Sequence, residues 1–163
     1  MLPVAVSRVS QPFADPGAYA SRSDKHGPAG HHTGLDFGAR WPVPLAGRLV
    51  RSATAGEVVI SEYNPTMGNW VGVYNHEEDV LTTYWHLAGR AVEVGDWVQV
   101  YARLGRVGNT GNSTAAHLHA QCNRGPTCDY PGHSNPWPSL NTYTGRQARR
   151  IFRSQPLHPR ARR

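Results

Sequence analysis

Between Leu35 and Cys122 the sequence alternates short β-rich runs with glycine and polar turn residues. The runs cover residues 35–37, 48–50, 57–60, 70–74, 80–85, 97–100, 104–107 and 117–122. Short strands at near-regular spacing are typical of an antiparallel sheet or sandwich. The 17 Gly and 13 Pro among 163 residues also argue against a coiled coil or a helix bundle. We therefore expect a mainly β fold, an antiparallel β-sheet or sandwich.

Three connecting segments have the composition of turns or loops. The polar residues 75–79 separate two β-rich runs, which are therefore predicted to form a hairpin. Tyr84 and His86 lie two residues apart on its second strand and are expected to share one face. Residues 94–98 predict a tight turn, and residues 108–114 predict a glycine and hydroxyl loop that leads into the last run.

The length of the chain is that of a single domain, because such domains usually have about 100 to 200 residues. Residues 1–30 are rich in turn formers without a periodic apolar pattern, and they are predicted to form a long loop. Residues 31–140 are the predicted folded domain, and residues 141–163 an Arg-rich tail. A short helix is expected around residues 145–152.

The net charge of +6 is concentrated at the C-terminal end. Residues 146–163 contain seven Arg and no acidic residue, whereas the other 145 residues contain 10 basic and 11 acidic ones. The body, at −1, offers no basic groove for nucleic acid, so a nucleic-acid-binding protein is a rival supported by the tail alone. The tail could bind an anionic cell-wall polymer or be a solvated end.

The sequence predicts no membrane span and no export signal. The longest apolar opening, Met1–Val6, is far shorter than the ~18 residues that a membrane helix needs, and no basic segment precedes it. We therefore expect neither a membrane anchor nor an export route encoded in these residues.

Cys122 and Cys128 flank a turn-rich loop after the last β-rich run. A disulfide that closes this loop and two free thiols are about equally compatible with the sequence. A zinc site formed by Cys122, Cys128 and His133 is less favoured, because it lacks a clear fourth ligand.

The arrangement of the histidines indicates a metal site. His32 lies four residues before Asp36, and His117 and His119 occupy i and i+2 positions that point to one face of a strand. Two His and one carboxylate can hold Zn²⁺ with a fourth position left for water, as in catalytic zinc sites. His31 competes with His32 for a place in such a site.

Three blocks resemble those of the lysostaphin-type (LytM-like) zinc metalloendopeptidases. They are residues 32–36, residues 84–87, and residues 108–111 followed by the last His-x-His. The resemblance covers roughly residues 30–140 and implies an antiparallel sheet with its active site in a groove walled by loops.

This resemblance also implies the roles of five side chains. His32, Asp36 and His119 would be the zinc ligands, and His86 and His117 the catalytic pair beside them. The family's His-x-Gly-x-Asp spacing selects His32 over His31. No His-Glu-x-x-His motif occurs, so the two remaining imidazoles are the groups suited to proton transfer.

These features predict a zinc endopeptidase that hydrolyses a peptide bond in the stem or cross-bridge of peptidoglycan, such as a phage endolysin with antimicrobial action. We expect a monomer that reaches the bacterial wall by phage-encoded release or as part of a virion. The alternative is a non-catalytic relative whose groove binds wall peptide or a partner. Sixteen Arg against one Lys hint at a high-GC host, which favours D-Ala–diaminopimelate over Gly–Gly bonds. The loop arginines Arg22, Arg40 and Arg124 are candidate partners for the substrate carboxylates.

Overall fold

Nine β-strands account for most of the residues that the computed structural model describes, which are residues 7–11, 32–39 and 43–128. They are β1 (Ser7–Gln11), β2 (Leu35–Ala39), β3 (Leu49–Arg51), β4 (Gly56–Asn64), β5 (Gly68–Asn75), β6 (Val80–Arg90), β7 (Trp97–Val98), β8 (Arg103–Val107) and β9 (Leu118–Arg124). These ranges contain no helix, so the predicted mainly β fold is confirmed. In particular, no helix in them is long and apolar enough to cross a membrane. The helix predicted around residues 145–152 lies outside the described residues.

The strands form an antiparallel sheet with the order β1-β2-β9-β6-β5-β4-β7. Strand β3 pairs with β8, which pairs in turn with the C-terminal part of β6. Strand β6 therefore contacts β5, β8 and β9, and its central position explains why eight of its eleven residues are buried. Strand β6 also borders β9, the strand that carries His119.

The predicted hairpin is confirmed by the pairing of β5 with β6. The side-chain oxygen of Asn75 accepts hydrogen bonds from the backbone N–H groups of Glu77 and Glu78, at 3.0 and 3.1 Å. An Asn that bonds the backbone two and three residues further on stabilises a turn, as its composition predicts.

The prediction of a long loop over residues 1–30 is wrong in one place. Residues 7–11 form β1, which pairs antiparallel with β2 at the edge of the sheet. This strand has the sequence Ser-Arg-Val-Ser-Gln. Its single apolar residue gives no periodic signal. Such a strand can form at the edge of a sheet, because its backbone hydrogen bonds alone can hold it.

Two clusters of buried apolar side chains pack against the sheet. The larger one draws on every strand from β2 to β9 and contains Leu35, Phe37, Leu45, Val50, Val58, Val71, Val73, Tyr84, Leu87, Val98, Leu104, Val107 and Leu118. The smaller one contains Met67, Trp70, Leu81, Trp85 and Cys128. Tyr84 and Trp85 are consecutive but belong to different clusters, so the clusters lie on opposite faces of β6.

Candidate active site

Three side chains converge where β2 and β9 lie side by side. Asp36 of β2 is directly opposite His119 of β9 in the register, and His32 precedes β2 by three residues. The Asp36 Oδ1 atom lies 3.2 Å from His32 Nε2 and 2.9 Å from His119 Nδ1, and the two nitrogens are 3.1 Å apart. The three side chains are nearly inaccessible to solvent, and their ligand atoms could hold a metal ion.

The ionisation states of this cluster suit metal binding. Burial opposes ionisation of Asp36, but hydrogen bonds and charge from His119 and His32 outweigh it, so the pKa of this carboxyl lies well below its usual range. Burial lowers the pKa of His119, which favours a neutral ring. A carboxylate and a neutral imidazole are the forms that bind metal ions.

The ring of His119 is held between Gly34 and Trp85. A Cβ atom on Gly34 would lie 2.6 Å from His119 Nε2 and 2.5 Å from the Ala120 carbonyl oxygen. On another side the Trp85 ring packs against His119 with a centroid distance of 4.3 Å, and its indole N–H donates to Thr83 Oγ1 at 2.9 Å. Sequence reasoning assigned a role to neither Gly34 nor Trp85, although Gly34 belongs to the first motif.

We expect Gly34→Ala to weaken metal binding by at least about 10-fold, because the added methyl group cannot fit without moving the His119 ring or the β9 backbone. The measurement is a zinc titration against a competing chelator. Gly89→Ala is the matched control, since nothing lies within 4 Å of a Cβ there and its φ is not in the left-handed region. Equal zinc affinity of Gly34→Ala and the wild type would contradict this role.

His86 and His117 lie beside the cluster, with their ring centroids 4.7 Å apart. The Nδ1 atom of His86 is 2.9 Å from the Thr110 carbonyl oxygen, and that of His117 is 2.8 Å from the Ala115 carbonyl oxygen. Because a carbonyl can only accept, each Nδ1 carries the proton and each Nε2 has a lone pair. The Nε2 atom of His117 lies 3.7 Å from Asp36 Oδ1, so it points toward the cluster.

The prediction that Tyr84 and His86 share one face of the strand is wrong. Tyr84 lies in the larger apolar cluster, whereas His86 contacts the rings of Trp85 and His117. His86 has a φ of 62°, in the left-handed region that non-glycine residues seldom adopt, and this breaks the alternation of the strand. Such strained backbone is common at functional sites and is held here by the surrounding contacts.

The predicted glycine and hydroxyl loop positions His86. Thr110 Oγ1 donates to the Leu87 carbonyl at 2.8 Å and accepts from the Asn69 N–H at 2.9 Å. Gly68 and Gly111 both have positive φ values, near 70°, and a Cβ on either would collide with the other's loop backbone. This close approach brings the Thr110 carbonyl to the His86 ring, a role that the motif alone did not reveal.

The environment of His86 predicts a pH-dependent contribution to stability. Burial is the largest cause that lowers the pKa of His86 from 6.5 to about 4, and the neighbouring His117 and His119 act in the same direction. Since the folded-state pKa is the lower one, the unfolded state takes up the proton first as the pH falls. The free energy of unfolding should therefore decrease by about 3 kcal/mol between pH 7 and pH 4 from this group.

Chemical denaturation of the metal-free protein at both pH values checks this expectation, with His86→Gln as the comparison. The variant should lose about 3 kcal/mol less than the wild type over the same interval. The same loss in both proteins would show that His86 titrates alike in the folded and unfolded states.

Cys122 and Cys128 are separate buried thiols in the structure. Cys122 Sγ contacts Thr82 Oγ1 at 3.6 Å, and burial raises the pKa of Cys122 to about 12. Cys128 Sγ accepts a hydrogen bond from Asn123 Nδ2 at 3.1 Å. Cys122 and Asn123 are neighbours on β9 and point to opposite faces, and Cys128 Sγ lies on the Asn123 side. The two sulfur atoms therefore lie on different sides of the strand. This arrangement opposes both the disulfide and joint ligation of a second zinc, and His133 lies outside the described residues.

The structure brings together all five predicted site residues, His32, Asp36, His86, His117 and His119, whereas the competing His31 lies outside the described residues. A buried His–Asp–His cluster with two further imidazoles at hand is an arrangement typical of hydrolytic metalloenzymes. The model of peptidase family M23 matches residues 30–130. The chain belongs to this family.

Known relatives agree with this assignment. Peptidoglycan DD-endopeptidase ShyA of Vibrio cholerae is 38% identical over 88 residues, which are 54% of this chain and 19% of ShyA. The chain spans between 18% and 27% of the length of the first curated relatives that it matches.

Solved structures show the same fold. A zinc-containing peptidase from Vibrio cholerae has a TM-score of 0.60 and 26% identity, over 74% of this chain and 35% of that one. The catalytic domain of the antimicrobial peptidase lysostaphin from Staphylococcus simulans has a TM-score of 0.60 and 29% identity, over 72% of this chain and 90% of that one. The lysostaphin-type resemblance of the sequence is thus confirmed.

Proposed function

We propose that this protein is a zinc-dependent endopeptidase that hydrolyses a peptide bond of bacterial peptidoglycan. The observation that carries the proposal is the convergence of His32, Asp36 and His119 on one buried point, with two further imidazoles beside it. Family membership and the peptidoglycan endopeptidase among the relatives support the reaction class.

The geometry of the three donors fits a zinc ion. Zinc–nitrogen and zinc–oxygen bonds of about 2.0–2.1 Å separate two ligands of a tetrahedral ion by about 3.3 Å. The separations among His32 Nε2, Asp36 Oδ1 and His119 Nδ1 are 2.9–3.2 Å, close to that value. Three protein donors leave a fourth position for water or substrate, which is the property of a catalytic and not a structural zinc site.

His86 and His117 are the groups proposed to move the proton. Zinc, when bound, polarises the scissile carbonyl and makes water a nucleophile near neutral pH. The His86 Nε2 lone pair can accept the proton of the attacking water, because Nδ1 is committed to the Thr110 carbonyl. Burial lowers the pKa of His86 to about 4, which keeps the ring neutral and able to accept near pH 7. The proton that Nε2 takes up can then pass to the leaving amine. His117 Nε2 faces the same space and, when it also carries a proton, can donate to the developing oxyanion.

The proposed substrate is the D-Ala–diaminopimelate bond, with Gly–Gly as the alternative, and the DD-endopeptidase among the relatives supports the first choice. Arg124 is an unsuitable partner for the substrate, because it lies five residues beyond His119, about 16 Å along the strand. Arg22 and Arg40 lie outside the described residues.

Mass spectrometry of products from diaminopimelate-type sacculi and from pentaglycine, incubated in parallel, tests the function and its substrate together. New amino groups at diaminopimelate are the expected result. Cleavage of pentaglycine alone would overturn the substrate, and cleavage of neither by the zinc-loaded protein would favour the non-catalytic binding groove.

The Arg-rich residues 146–163, which also lie outside the described residues, are proposed to aid attachment to an anionic wall polymer.

A further inference from the structure

A row of polar side chains is buried behind His119 on the same face of β9. Gln121 and Asn123 follow His119 at i+2 and i+4, and Cys128 lies at the end of the row. Each of the two amide side chains is only 1% exposed, and Cys128 is 9% exposed. Buried amides are costly unless they are hydrogen-bonded, so their partners define what the row does.

The hydrogen bonds of this row fix the orientation of both amides. Asn123 Nδ2 donates to Cys128 Sγ at 3.1 Å, which leaves Asn123 Oδ1 as an acceptor. Gln121 Nε2 donates to that oxygen at 2.9 Å and also contacts Cys128 Sγ at 3.7 Å. The oxygen of the Gln121 amide must then face the other way, toward His119.

Gln121 Oε1 lies 3.5 Å from His119 Nε2, a long hydrogen bond in which only the imidazole can donate. The stronger contact of this ring is made by Nδ1, which donates to Asp36 Oδ1 at 2.9 Å and lies 3.1 Å from His32 Nε2. When the ring binds a metal through Nδ1, its proton must lie on Nε2, and Gln121 Oε1 is the acceptor that faces this atom. A neutral imidazole that carries its proton on Nδ1 could not bind a metal at that atom.

We infer that Gln121 is a positioning residue of the metal centre, which selects the His119 tautomer that binds through Nδ1 and is itself oriented by Asn123 and Cys128. The inference rests on the proposed zinc site. Partners of ligating histidines are typically worth 10- to 100-fold in metal affinity. Neither the motifs nor the family match assigned a role to this residue, although its i+2 spacing from His119 places both side chains on one face of β9.

The test compares the zinc dissociation constants of full-length variants by chelator competition. Gln121→Met keeps the length and burial of the side chain but removes the acceptor, so zinc should bind about 10-fold more weakly or worse. Gln121→Glu keeps an acceptor oxygen and should bind zinc at least as tightly as the wild type. Thr82→Val is the matched control, since Thr82 is a buried polar residue of β6 that contacts Cys122 on the other face of β9. Its zinc affinity should be unchanged.

Zinc affinity of a folded Gln121→Met protein equal to that of the wild type would overturn the inference. If this variant does not fold, Gln121→Glu decides, because 10-fold weaker binding by the glutamate variant would equally contradict an acceptor role. Failure of the wild type itself to bind zinc would instead refute the proposed function, so the two outcomes are distinguishable.

Discussion

His32→Ala is expected to lose zinc and peptidoglycan hydrolysis together. His32 Nε2 is one of three buried donors that approach one another within 2.9–3.2 Å, so alanine leaves only two protein donors in the cluster. The loss of zinc affinity should exceed the roughly 10- to 100-fold that is lost when a hydrogen-bond partner of a metal ligand is removed. Metal analysis after dialysis and product release from sacculi measure the two effects.

His31→Ala is the matched control, because it removes an imidazole from the adjacent position of the same segment. Zinc content and activity should both stay close to those of the wild type, since His32, Asp36 and His119 already supply three donors without it. Full zinc in His32→Ala and none in His31→Ala would reverse the ligand assignment.

The strands that carry the site could be predicted because their signals are local. Each of the eight β-rich runs between Leu35 and Cys122 corresponds to one of the strands β2 to β9, since turn formers and β-branched residues mark their bounds. The i, i+2 spacing of His117 and His119 predicted that both rings face one side of the last strand. The choice of His32, Asp36 and His119 as ligands came from the resemblance to the lysostaphin-type enzymes.

Other features depend on contacts that spacing does not encode. The left-handed backbone of His86 lies where the register between β5 and β6 shifts, so alternation predicted the wrong face. Similarly, the opposite faces of Cys122 and Cys128 follow from the path of the loop between them, which composition describes only as a turn. Sequence patterns therefore located the metal donors better than the groups that hold them in place.

Single substitution of His86 or His117 by alanine is expected to lower turnover by ~10² or more while most of the zinc stays bound. Neither ring contributes a ligand atom to the buried cluster of three donors, so the metal should remain. The lost step is proton transfer at Nε2, which the Thr110 and Ala115 carbonyls orient in the two rings. Turnover and zinc content are measured on the same preparations.

His76→Ala provides the control for this last prediction. His76 is an exposed imidazole of the turn between β5 and β6. Its Nε2 atom lies 3.0 Å from Glu57 Oε2, and it is not one of the candidate metal donors. Its removal should leave both turnover and zinc unchanged. A wild-type rate in His86→Ala or in His117→Ala would show that the proton is carried by another group, whereas loss of zinc from His117→Ala would assign that ring to the metal. Because His117 Nε2 lies only 3.7 Å from Asp36 Oδ1, the zinc content of His117→Ala is the measurement that best separates a catalytic role from a ligand role.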